Sequence, residues 1–150
     1  MITVTTNEVE KGLRRAVAQT AALAGLVGTV GVFQGSLAGQ YGQGVEGARR
    51  ESEIAVYAAT LEYGNPSRSI RERAWMRRAV DRGQAEYLGI LQRCLPKVQD
   101  GLMTPDAAIF TALTRAQADM KMEITAQHLI DTGAMRNSIQ VDVSPARREG

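Results

Sequence analysis

Near its C-terminus the chain reads LIDTGAMRNSIQV, residues 129–141, and this stretch holds the residues best suited by type and spacing to do chemistry. Asp131 is followed by Thr132, Gly133 and Ala134, a string in which a turn can present a carboxylate. Two such aspartates, one from each copy of a homodimer, would share a proton and acquire split pKa values. One could then take a proton from water while the other polarised a carbonyl. That dyad needs a rigid β framework to bring the two carboxylates within hydrogen-bond reach.

The elements around Asp131 point elsewhere. MTPDAAIFTALTRAQADMKMEITAQHL, residues 103–129, has Thr104 as N-cap, Pro105 at the first helical position and Asp106 favouring the helix dipole. Ile109, Ala112, Leu113, Ala116, Met120 and Ile124 recur on one face. A long helix therefore runs into the motif, and with aromatics at only 5% the core must be built from Ala and aliphatic side chains, against an all-β domain. The simpler reading is a helix break. Asp131 or Thr132 caps a short helix, GAMRNS, and Ser138 leads into a final strand, IQVDV. A retropepsin-like aspartic protease is the weaker alternative. The single cysteine, Cys94, excludes an intrachain disulfide, and together with the one histidine, His128, it leaves too few ligands for a zinc centre. Nothing orients the pair as nucleophile and base, so no catalytic residue, metal or cofactor is expected.

With 150 residues, 44% hydrophobic and 23% charged, the chain predicts one domain, and a net charge of +2 does not by itself call for a nucleic-acid partner. TNEVEKGLRRAVAQTAAL begins with a capping-box-like Asn7 and Glu10 and places Val9, Leu13, Ala16, Val17 and Ala21 at helical spacing. The following apolar run is broken by Gly25, Gly28 and Gly31 and reads as a strand over 26–33, with neither a membrane span nor a secretory signal expected. Residues 34–52 hold five glycines and no period, so they predict a flexible loop ordered by a partner through Leu37, Tyr41 and Val45. EIAVYAATLEY predicts a second strand, paired antiparallel with 26–33 and ended by the turn GNP. The segment 67–98 predicts a helix that Pro96 perturbs. The expected fold is α+β: a small antiparallel sheet packed by an N-terminal helix and two longer helices.

Two landmarks carry a resemblance. LIDTGAMRNSIQVDV resembles the C-terminal signature of the tail-completion, or head-to-tail joining, proteins of long-tailed bacteriophages, also called virion morphogenesis proteins. Their second landmark, a strand ending in E-[YF]-G and then an I-P-x-R-P-F-[LM]-R-x-A segment, is similar to LEYGNP followed by SIRERAWMRRAVD, matching at Ile70, Arg73, Trp75, Met76, Arg77 and Ala79. Arg71 and Ala74 stand where the family has prolines, so the extended turn those prolines would impose has no such support here. The resemblance covers about thirty-five residues. It implies a structural virion protein, not an enzyme, that forms a homo-oligomeric ring, expected as a hexamer, at the phage neck. Its neighbours would be the head connector or stopper protein and the tail terminator or tail tube protein. DNA would be only passing cargo in the lumen, and no membrane or small-molecule substrate is involved. Such a protein is made in the host cytoplasm and resides in the virion. Glu62, Gly64, Asp131, Thr132, Gly133, Arg136 and Ser138 would be its structural motif residues.

Arg68, Arg71, Arg73, Arg77, Arg78 and Arg82 lie within fifteen residues. A solvated helix face is the first expectation, contact with acidic neighbouring subunits the second and DNA contact the last, because no stacking aromatics or helix-turn-helix accompany them. Trp75 reads first as a core anchor, and as a function it would be an interface hot spot with Arg73 and Arg77. A general nucleic-acid-binding module is the remaining alternative.

Overall fold

The computed structural model describes residues 6–33, 45–129 and 134–146. In chain order these form helix α1 (Thr6–Ala24), strand β1 (Leu26–Val32), helix α2 (Val45–Tyr63), a 3-10 turn (Pro66–Arg68), helices α3 (Trp75–Gln99), α4 (Pro105–Ala126) and α5 (Ala134–Asn137), and strand β2 (Ile139–Pro145). The fold is α+β, mostly helical, with β1 and β2 forming a two-stranded antiparallel sheet.

Three expectations are corrected. Residues 53–63 are helix, not strand, and the helix begins at Val45, so the last part of the expected loop 34–52 is helical. The physical reason lies in which residues are buried. Ile54 is half-buried and Ala58, Leu61 and Glu62 are buried, at i, i+4, i+7 and i+8, while the β-branched and aromatic Val56, Tyr57 and Tyr63 face outward. The partner of β1 is accordingly β2. The third correction is the start of α3, at Trp75 and not near Ser67.

The described residues divide into two compact units, and the chain passes between them repeatedly. Where composition predicts one domain, α3, α4 and both strands each contribute to both units. One unit, built around residues 30–84 and 115–141, has a core of Ala58, Leu61, Trp75, Ala79, Met120, Ile124, Leu129, Met135 and Ile139. Four helices and β2 supply it, and small Ala58 and Ala79 let them approach Trp75 closely. The other unit has a smaller core of Cys94, Val98 and Ala108, with Leu23, Ile90 and Met103 packed against it. Here Gly28 of β1 lies so close to α4 that a Cβ on it would stand 2.4 Å from a Leu113 methyl and 2.6 Å from one of Ile109. Gly28 of β1 thus serves packing. Thr104 caps α4 as expected, accepting the Ala107 N–H at 3.3 Å.

Candidate functional site

The second landmark folds into a joint between the end of α2 and the start of α3. The residue before α3, Ala74, has no side-chain acceptor, and no acidic residue lies in the helix's first turn. The first N–H groups of α3 therefore need a cap from elsewhere. Glu62 provides it: its carboxylate accepts the Met76 N–H at 2.8 Å and the Arg77 N–H at 3.3 Å. The Arg77 guanidinium closes the arrangement, donating through Nε to the Glu62 carboxylate at 2.8 Å and through Nη2 to the Glu62 carbonyl at 3.1 Å and to Glu72 at 2.6 Å. Glu62 is buried, so its charge is tolerable only because these donors surround it. The hydrogen bonds that Arg77 donates to Glu62 and then to Glu72 raise its pKa above the ordinary value. The guanidinium also stands over the Tyr63 ring, 5.4 Å from its centroid.

Gly64 ends α2 at φ 75°, its N–H bonded to the Thr60 carbonyl at 2.7 Å. A Cβ there would lie 2.8 Å from the Glu72 backbone nitrogen and 3.0 Å from the Ile70 carbonyl oxygen. Only glycine satisfies both the left-handed backbone and the close approach. From Gly64 the chain makes the 3-10 turn, closes an antiparallel bridge between Asn65 and Ile70, and runs back to α2. There the Arg73 N–H bonds the Leu61 carbonyl at 2.8 Å and the Ala74 N–H bonds the Glu62 carbonyl at 3.2 Å. An extended turn therefore forms with Arg71 and Ala74 where prolines would have fixed it, held by backbone hydrogen bonds and by Glu62.

Trp75 is fully buried and donates its Nε1–H to the Ala58 carbonyl at 3.2 Å. This corrects its place among the interface residues: the indole anchors the core and offers no surface to a neighbour. Arg73 is exposed, and its carbonyl accepts from Gln127 Nε2 at 3.3 Å. Arg77 is half-exposed but engaged within the chain. Leu37 and Tyr41 lie outside the described residues, as do Asp131, Thr132 and Gly133, and of Val45 only its place as the first residue of α2 is described. At the other landmark, α5 and β2 occupy the expected positions. Ser138 is buried, its hydroxyl donating to the Met135 carbonyl at 2.7 Å, and Arg136 is exposed in the last turn of α5. Ile139 is buried, and its carbonyl accepts from Gln117 Nε2 at 2.6 Å.

No known protein family, curated protein sequence or solved structure matches the chain.

Sequence reasoning missed a second polar cluster. Glu123 is buried on α4, paired with Arg82 of α3 and bonded by Gln127 Nε2 at 2.7 Å. These groups, with Arg78, Asp81 and Ala126, line an open groove. Burial alone would raise the Glu123 pKa, but the hydrogen bonds from Gln127 and Arg82 and the charges of Arg82 and Arg78 outweigh it, so the pKa is lowered. The signal in the sequence was a glutamate at a core position of α4, between Met120 and Ile124. Each buried carboxylate of this unit, Glu62 and Glu123, is engaged by an arginine and amide donors, an arrangement suited to holding helices in register and poor for proton transfer. Among the described residues no three His, Cys, Asp or Glu side chains cluster to hold a metal ion, and no helix is long and apolar enough to cross a membrane.

Proposed function

We propose that this chain is a structural subunit of a bacteriophage neck, assembling as a homo-oligomeric ring that joins or completes the tail at the head connector. The observation that carries the reading is the joint. Glu62 from one half of the family-like landmark bonds Arg77 from the other, Arg73 and Trp75 bond the α2 carbonyls of Leu61 and Ala58, and Gly64 leaves room for the returning chain, so the residue types and their spacing are explained together. In a structural subunit such a joint gives a stiff corner between two long helices. The carboxylates are neutralised by fixed donors, which fits a scaffold better than an active site. Large apolar side chains left exposed, among them Val9, Leu13, Leu102 and Phe110, suit a protein whose surface is covered on assembly.

The test is to purify the protein, measure its mass by light scattering and image it by negative stain. Antibodies against it should also label the head-tail junction of the parent particle. The reading expects closed rings and neck labelling. A stable monomer that never enters particles would sink it, as would peptide cleavage lost on Asp131→Asn.

A further inference from the structure

Positive charge is concentrated in one stretch. Residues 65–82 hold six arginines against Glu72 and Asp81, a net of +4, while the whole chain is +2, so all other residues together sum to −2. Two of the six are engaged within the chain, Arg77 with Glu62 and Glu72, and Arg82 with Glu123. Arg68, Arg71 and Arg73 are exposed, and among the described residues no carboxylate pairs with them.

These three arginines stand on a fixed turn. The Asn65–Ile70 bridge, the left-handed Ser69 at φ 56° and the bonds from Arg73 and Ala74 back to α2 hold their backbone. A backbone held this way loses little further freedom on binding. The surface between them is polar: Ser67 and Ser69 are exposed, Ile70 and Met76 are half-covered, and Trp75 is buried. A protein interface needs apolar anchors at its centre and is depleted in charge there, whereas a phosphate backbone is held by unpaired guanidinium groups without apolar anchors. The nearest exposed aromatic, Tyr63, already has one face under Arg77.

We propose that the turn 65–74 is a contact surface for the phosphate backbone of double-stranded DNA, with Arg68, Arg71 and Arg73 as the phosphate ligands. No base is read, so the stacking aromatics and recognition helix that the chain lacks here are not needed. The inference stands on the charge accounting and does not depend on the neck reading.

Fluorescence anisotropy of the full-length protein with a labelled random-sequence duplex tests it. Three phosphate contacts give a plot of log affinity against log salt with a slope of about −3. Arg71→Glu combined with Arg73→Glu should weaken duplex binding by about tenfold or more at low salt, with an unchanged far-UV spectrum and melting temperature. Arg71→Lys with Arg73→Lys should keep most of it. Duplex binding that is absent at low salt, or unaffected by the charge reversals, overturns the proposal. So does competition by poly-glutamate as effective as by unlabelled duplex at equal charge, which would assign the surface to an acidic protein.

Discussion

Glu62 does three things at once: it caps α3, neutralises Arg77 and closes the turn that returns to α2. Removing it leaves the Met76 N–H and the Arg77 guanidinium without their main acceptor. Glu62→Ala should cost about 2 kcal/mol, combining a lost cap and a lost charge-assisted bond. Glu62→Gln should cost less, because an amide oxygen still accepts one N–H but cannot balance the arginine. Urea melts of the three proteins check the order, and equal midpoints would show that the cap carries no weight. Gly64→Ala adds a Cβ 2.8 Å from the Glu72 nitrogen at a backbone angle alanine resists, and the obstacle is backbone that cannot swing aside. A loss of more than about 1 kcal/mol is expected in the same melts. At this scale the sequence was half legible. Glu62, Gly64 and Arg77 stood out as motif members, but their meeting did not, because Glu62 lies fourteen positions before the Met76 N–H it caps and only the fold brings them together.

At the scale of elements, α4, α5 and β2 could be read because each carries local signals: Thr104 and Pro105 at a helix start, a period of three to four in α4, and β-branched residues in β2. The helical 53–63 segment could not be read by propensity, because Ile54, Val56, Tyr57 and Tyr63 favour strands and packing at Ala58 and Leu61 overrides them. The start of α3 was hidden for the opposite reason. Residues 67–74 contain good helix formers, yet the Arg73 and Ala74 N–H groups bond the last carbonyls of α2. The α3–α4 pairing through Glu123 gives a pH test. Its folded pKa lies below the ordinary carboxylate value of 4.5, so its contribution to stability is present above that value and is lost as pH falls through the folded pKa. Wild type should therefore melt higher than Glu123→Gln at neutral pH, and the gap should close in acid. A gap that persists unchanged down to about pH 2 would show that the ionised carboxylate is not the source.

For the whole molecule, the balance of covered and exposed apolar surface matters most. Among the described residues, the unit that includes α1 has a small buried core, clustered on Cys94, Val98 and Ala108. Yet α1 alone shows Val9, Leu13 and Val17 to solvent at 58%, 64% and 61% exposure, one helical turn apart and so in a single stripe. An isolated domain gains little from such a stripe, whereas a subunit that buries it against a copy of itself gains about 25 cal/mol for each Å² covered. In a ring every copy uses the same surface, so one substitution acts at every contact. If the chain assembles as the proposed ring, Leu13→Glu should shift it toward monomers. The monomer itself should stay folded with nearly unchanged melting, because the side chain is already mostly in water and glutamate suits a helix as well as leucine does. Lys11→Glu changes charge by two units on an exposed position of the same helix outside the stripe, and it separates burial from electrostatics. If both variants dissociate the ring equally, charge repulsion is responsible. If only Leu13→Glu does, the α1 stripe is a subunit contact. Rings that survive Leu13→Glu would leave that stripe to another partner and move the subunit contact elsewhere on the surface.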